Sequence, residues 1–468
     1  MEWLSLVLFA LVLLALMIGF PVAFTLAGVS LLFAIGALLF GVFDMAFINA
    51  IPSRIYSIMT NSTLVAVPLF IFMGLMLEKS KLADQLLLTL AEVFKGVRGG
   101  LGIAVILVGA LLAASTGLVG ATVVMLGLLA LPTMIQQGYC PKLASGTICA
   151  SGTLGQIIPP SIVLILLADV ISNAYQQAQL QQGIFAPETL SVGDLFAGAL
   201  VPGLVLVGLY LAYMVGVAFF QPDRVPKFSP HNRPNTPDSP PGLVVKVIKS
   251  LVPPVALILL VLGSIILGIA TPTEAGALGA LGALVLAFTK RQLSLDTLRY
   301  VMRNTLKLTS MIFLIFIGAA FFSLVFRGLG GDELVHDLLT ALPGGLFTLM
   351  LLTMLFLFIL GFFLDFIEIT YVVVPIIAPI LLLLGADPVW LAIMIAINLQ
   401  TAFLTPPFGF ALFYLRGVAS SALKTLDIYK GVWPFILIQL GLLALLAAWP
   451  NLASVPLTQY NFRAGGTV

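Results

Sequence analysis

Apolar runs of about 18 or more residues recur from one end of this 468-residue chain to the other, each long enough to cross a hydrocarbon core about 30 Å thick. Lipid offers the backbone no hydrogen-bond partners, so a spanning segment has to satisfy its own N–H and C=O groups, which a helix does. Only 9% of the residues are charged and 61% are hydrophobic, whereas soluble domains carry about 25% charged residues. The chain therefore reads as an all-α polytopic membrane protein without a separate soluble domain. A net charge of +2 leaves no electrostatic footprint for nucleic acid; the lipid bilayer is the expected surrounding. Residues 3–18 read as a first span, because no positive charge precedes them and no small-residue cleavage site follows before Gly19-Phe20-Pro21. Cys140 and Cys149 have no further Cys or His beside them and read as small apolar filling.

The distribution of charge sets the path of the chain. Eighteen of the 21 lysines and arginines cluster at 79–98, at Lys142, and at 224–249, 290–307 and 416–430. The positive-inside rule places these clusters in the cytoplasm. Residues 79–98 and Lys142 then share a face although a mostly apolar segment separates them, so that segment must enter and leave by one side. It reads as a re-entrant hairpin with its tip at "STGLVGA" (115–121). A second hairpin, at 343–386, has its tip at "LDFIEIT" (364–370) and is entered from the other face. The Gln-rich segment 172–194 lacks Lys and Arg and reads as an outer loop.

The expected division is 1–78, N-terminal scaffold helices; 79–98, an amphipathic arm; 99–138, the first hairpin; 139–220, a broken helix and a span; 221–250, a Pro-rich cytoplasmic linker; 251–342, scaffold helices and a second arm; 343–386, the second hairpin; and 387–468, a second broken helix, a final span and a tail. This makes about ten crossings plus two re-entrant helical hairpins, with both termini in the periplasm. The first arm should bury Leu82, Leu86, Leu90, Phe94 and Val97, the second Leu334, Val335, Leu338, Leu339 and Leu342. From Thr122 to Pro159 is 37 residues, and from Thr370 to Pro406 is 36. An arm, a hairpin, a broken helix and a span, repeated in opposite orientation, form the inverted-topology repeat of many secondary transporters.

The broken helices carry the functional expectation. "SGTLGQIIPPSIVL" (151–164) and "LQTAFLTPPFGFAL" (399–412) both place adjacent prolines, Pro159-Pro160 and Pro406-Pro407, inside apolar stretches. A proline removes one N–H and clashes with the carbonyl a turn earlier. Carbonyls freed at this depth are tolerated only inside protein or beside a wet cavity, and a cation satisfies them well. A first sodium site is expected from Ser115, Thr116, Gly117 and Thr122 on the hairpin tip with Ser151, Gly152, Thr153 and Gly155 on the broken helix. These hydroxyls and carbonyls include no carboxylate, which suits Na⁺ better than a divalent ion. A second is expected from Asp365, Glu368 and Thr370 with Asn398, Gln400, Thr401 and Thr405. Such hydroxyls also occur as plain packing contacts or back-bonds to their own helix. Asp365 is read as a ligand, because an acid at this depth costs about 2.5–3.5 kcal/mol to insert.

Other motifs read blandly. In "TPTEAGA" (271–277) Thr271 is an N-cap, Pro272 the first helical residue and Glu274 the third member of a capping box. His231 falls in the linker and His336 on an arm, so neither is expected as a proton relay. No phosphate-binding loop is present, so the chain is not expected to hydrolyse ATP. The absence of His/Cys clusters or a Ser-His pair at membrane depth counts against an embedded enzyme, and no cofactor is expected.

The stretches "GFPVAFTLAG" (19–28), "GALLAASTGLVGATVVMLG" (109–127), "ASGTLGQIIPPSI" (150–162), "TPTEAGA" (271–277) and "NLQTAFLTPPFGFALF" (398–413) resemble the large membrane subunit of tripartite ATP-independent periplasmic (TRAP) transporters. The resemblance runs over essentially the whole chain, although tips in this family are often richer in Ser than this one. It implies an elevator-type ion-transporter fold and sodium-coupled uptake of organic acid anions across a bacterial inner membrane. It also implies two partners, a small four-helix membrane subunit and a periplasmic substrate-binding protein, and places sodium where hairpin tips meet broken helices. The alternatives within this architecture are a stand-alone anion symporter and a proton-coupled one with Asp365 as carrier.

Overall fold

A computed structural model describes residues 3–117, 119–226, 242–419 and 423–453. The linker residues 227–241 with His231, the tip residue Leu118, the Thr116 side chain and the tail from 454 lie outside the described residues. Among the described residues every regular element is a helix. Eight helices among the described residues are long and apolar enough to cross a membrane, and four shorter apolar helices accompany them. Large apolar side chains point outward along them, with Phe40 86% and Phe220 80% exposed. That is expected where lipid rather than water is the neighbour. The chain is a multi-pass membrane protein.

The described helices fall into two compact units that draw on both sides of the linker. The first comprises residues 1–65, 165–191 and 306–392. In it the first span, Trp3–Met17, precedes Val22–Leu39 and the short helices Met45–Asn49 and Ile51–Thr60. The helix Ile162–Gln181 continues well into the Gln-rich segment expected as loop. Residues 182–191 are tied back onto it: the Gln179 side chain accepts from the Glu188 N–H at 2.9 Å and donates to the Glu188 carbonyl at 3.1 Å. The second arm is Gly331–Thr340. Its Leu334, Val335 and Leu339 are half-buried, whereas Leu338 is exposed and Leu342 falls beyond the helix end.

The second hairpin consists of Gly345–Leu360 and a return limb that starts at Phe366–Glu368, runs through a π-helical turn at Ile369–Val373 and continues as Val374–Leu383. Its start is set by a capping box. Asp365 accepts from the Phe366 N–H at 2.7 Å, and Glu368 accepts from the Asp365 N–H at 3.2 Å. Asp-x-x-Glu satisfies orphan donors at a helix start in the way Thr271 and Glu274 do, and that second box also forms, with Thr271 N–H donating to Glu274 at 2.8 Å.

The second unit comprises residues 66–164, 192–305 and those from 393 onward. Pro272–Thr289 lies closely along Ala66–Lys79. Its stripe of Ala275, Gly276, Gly279, Ala280 and Ala283 lets the backbones approach, as small residues do in membranes. The first arm is Leu82–Val93, and it buries Leu82, Ala83, Leu86, Leu87 and Ala91. The expected stripe is thus rolled: Leu90 and Phe94 are half-buried and Val97 is exposed beyond the helix end, because the arm packs on both Gly100–Thr116 and Leu243–Ile266. The latter helix begins inside the segment expected as linker. The first hairpin pairs Gly100–Thr116 with Val119–Gln136 and turns at Gly117, whose φ of +60° suits glycine. Its tip is tighter than expected, since most of "STGLVGA" is helical.

Candidate functional site

Within the second unit, the helix Pro141–Thr153 ends two turns before the prolines, passes through a short 3₁₀ turn at Leu154–Gln156, and resumes only at Ile162. Pro388–Leu404 behaves alike: it stops at Leu404 and Phe410–Val418 follows. Pro159–Pro160 and Pro406–Pro407 are joined by cis peptide bonds in both stretches. Proline explains each interruption, since the ring excludes the preceding carbonyl from the helix ladder.

The first hairpin packs directly on the first break. A Cβ on Gly109 would lie 2.5 Å from the Ser151 Cβ, and one on Gly152 would collide with Val123. A Cβ on Gly117 would stand 3.1 Å from the Ile162 N, and one on Gly155 would stand 3.5 Å from the Ala113 carbonyl oxygen. Glycine at 109, 117 and 152 is what allows the hairpin backbone and the broken helix to approach this closely, whereas a Cβ at 155 would make an ordinary contact. The structure therefore brings Ser115, Gly117 and Thr122 into the same packed layer as Ser151, Gly152, Thr153 and Gly155.

These residues differ in their hydrogen bonds. Ser115 donates to the Leu112 carbonyl at 2.8 Å and Thr153 to the Ala150 carbonyl at 2.8 Å. Thr401 donates to Ile397 and Thr405 to Thr401, both at 2.7 Å. Each of these hydroxyls spends its proton on its own helix and keeps lone pairs as acceptors. Ser151 differs: its hydroxyl is fully buried and has no partner. Gln156, which sequence reasoning passed over, is fully buried with neither end of its amide partnered. Gln400 donates from Nε2 to Thr153 Oγ1 at 3.4 Å, and its buried Oε1 is unpartnered. A buried polar atom without a partner costs about 1–3 kcal/mol; Ser151, Gln156 and Gln400 share this state with Thr305 and Gln439 of the same unit. Every one of them offers oxygen.

Two further residues join them. Tyr210, on Val192–Phe220, hydrogen-bonds Thr153 and accepts from Gln439 Nε2 of Thr425–Ala448 at 2.7 Å. Nothing in the sequence marks either one, because each is a lone polar atom in an apolar helix. Asn398 is also buried, at 3% exposure.

In the first unit, Asp365 and Glu368 are accounted for by the capping box, a role the Asp-x-x-Glu spacing could have revealed. Thr370 is fully buried with an unpartnered hydroxyl. Asp169 is held by side chains: Asn61 Nδ2 donates to it at 2.8 Å and the Tyr371 hydroxyl at 3.3 Å. Tyr371 packs against Phe316 with ring centroids 4.1 Å apart and planes tilted by 33°.

The sequence profile described as "Tripartite ATP-independent periplasmic transporter, DctM component" matches residues 7–452. The chain is 28% identical over 450 residues to the C4-dicarboxylate TRAP transporter large permease protein DctM of Rhodobacter capsulatus, covering 96% of this chain and 98% of that one. It is 30% identical to the protein of that name from Pseudomonas aeruginosa, covering 89% and 91%. It is 29% identical to the isethionate TRAP transporter permease protein DctMQ of Oleidesulfovibrio alaskensis, covering 93% of this chain but 64% of that one. Among solved structures, the fold is similar to that of the Alcanivorax borkumensis YdaH transporter, with a TM-score of 0.59 at 16% identity over 86% of this chain and 87% of that one.

Proposed function

The chain belongs to the DctM component family of tripartite ATP-independent periplasmic transporters, and from that premise we propose that it is the large membrane subunit of a sodium-coupled importer of organic acid anions in a bacterial inner membrane. The observation that carries the coupling ion is the set of buried, unpartnered oxygens around the first break, on Ser151, Gln156 and Gln400. A monovalent cation is well served by hydroxyl, amide and backbone oxygens, whereas a divalent ion normally draws carboxylates. Bound there, its charge helps hold an anion at a depth where an arginine or lysine would be costly. Each net charge carried inward gains about 2.3 kcal/mol per 100 mV of membrane potential.

In this reading the substrate is a small carboxylate or sulfonate, in keeping with the C4-dicarboxylate and isethionate named for two relatives. The hairpins and broken helices form the moving part of an elevator, the remaining spans form its scaffold, and about ten crossings leave both termini in the periplasm. A tripartite system requires two further components, a small membrane subunit and a periplasmic binding protein; the DctMQ relative has room for one of them in its own chain.

The test is uptake by vesicles reconstituted with this chain and its small subunit, with the binding protein added outside. The expected result is accumulation that needs both an inward sodium gradient and the binding protein. Uptake that persists unchanged without sodium rejects the coupling, and uptake without the binding protein identifies a stand-alone symporter.

A further inference from the structure

We propose that a cavity between the first span, the second arm and the second hairpin binds one amine-headed phospholipid, its acyl chain inside and its ammonium group on the acidic face of the arm. The coupling ion does not enter into it. All the residues concerned belong to the first unit. The arm Gly331–Thr340 packs on both Trp3–Met17 and Val374–Leu383. Its Val335 and Leu339 line an apolar cavity of about 280 Å³ together with Phe9, Leu352 and Ile376. An apolar cavity of ~150 Å³ already stays dry and takes up benzene. The lining has one polar residue among those described, Thr353, which is 3% exposed and whose hydroxyl has no partner. The ester carbonyl that heads an acyl chain supplies an acceptor there, which hydrocarbon alone does not.

Lipid is what this cavity opens onto. Leu6, Leu338, Leu352 and Phe356 line it and are exposed, and on a spanning chain such side chains face hydrocarbon. The other face of the arm supplies charge. Asp332, Glu333, His336 and Asp337 line a second cavity of about 450 Å³, and Ile376 borders both cavities. Asp332 pairs with Arg327 at 2.9 Å and Asp337 lies 3.4 Å from His336 Nδ1, which leaves three carboxylates against one arginine and one histidine. Among the described residues no group of His, Cys, Asp and Glu is placed to hold a metal ion. An ammonium group needs no such cage, because it donates hydrogen bonds that separate carboxylates accept. A hydrocarbon alone leaves the acidic cavity unmet, and a free cation leaves the apolar one empty. An amine-headed lipid answers both, at an amphipathic helix of the kind that lies where headgroups meet acyl chains.

The experiment is native mass spectrometry of the full chain in detergent, alone and with its small subunit, titrated with phosphatidylethanolamine or phosphatidylglycerol. Wild type is expected to hold one phosphatidylethanolamine, half-saturated at about a tenfold lower concentration than phosphatidylglycerol, the worth of one charge-assisted hydrogen bond. Leu339→Trp, which fills the apolar cavity, is expected to lose that lipid while unfolding no earlier than wild type in lipid-free detergent. Glu333→Gln combined with Asp337→Asn, both at exposed positions, is expected to keep one lipid and to bind the two kinds alike. Wild type that holds no lipid, or takes both kinds equally, overturns the proposal. So does Leu339→Trp that keeps the lipid, or a paired variant that still prefers phosphatidylethanolamine. A lipid that leaves when the small subunit is added makes that subunit the occupant, which overturns the proposal as well.

Discussion

At the residue scale, the site is defined by atoms that lack something. Ser151 buries a hydroxyl with no partner, an arrangement that destabilises by about 1–3 kcal/mol. Ser151→Ala is therefore expected to hold or raise the thermal unfolding temperature in detergent without sodium, and to weaken the stabilisation that added sodium confers. A variant that melts earlier in the absence of sodium contradicts the accounting. Ser151 stands out in the sequence, because a small polar residue in an apolar stretch that a proline pair interrupts has few reasons to be there. Gln156 lies in the same stretch and was as visible, yet its meaning depends on having no partner at either end of its amide. Tyr210 and Gln439 had no local signal. Their network joins four helices whose residues are far apart in the chain, at 153, 210, 400 and 439, and spacing cannot reveal such a meeting.

At the scale of elements, backbone chemistry explains most of what forms. Adjacent prolines interrupt both broken helices, Gly117 permits the left-handed turn of the first hairpin, and the Thr271 box starts its helix as its spacing requires. The same capping rule gives Asp365 a structural role, since it opens the return limb of the second hairpin. Asparagine also caps well, whereas alanine at an N-cap costs about 0.5–2 kcal/mol. Asp365→Asn is accordingly expected to keep the protein's unfolding temperature and its sodium-dependent uptake, and Asp365→Ala to lower the former. Asp365→Asn that abolishes a pH dependence of uptake while substrate binding persists would instead mark Asp365 as a proton carrier. The arms show the limit of periodicity. The first arm is helical, but its buried face is rolled from the expected stripe, since neighbouring helices choose which residues to cover.

At the scale of the whole molecule, charge placement makes a prediction about sidedness. Reporter fusions or single cysteines at 79–98, 224–249, 290–307 and 416–430 are expected to respond from the cytoplasm, and those at 182–191 and 331–337 from the periplasm. A split among the basic clusters would overturn the proposed path. The compact units follow neither side of the linker, because each takes helices from before and after it. In lipid no hydrophobic force drives one helix against another, and association depends on close packing and polar contacts. Pro272–Thr289, for example, lies against Ala66–Lys79 through a stripe of small residues, a match between segments about 200 residues apart.

Membrane class, helix interruptions and the Thr271 cap were already implicit in the order of amino acids, because composition, proline and capping act on a few neighbouring residues. Which helices group together, which face of an arm is covered, and which buried oxygens are left without protons were settled by folding. These are relations between side chains from distant segments, and a hydrogen bond is complete or missing only once both partners have been brought to the same place.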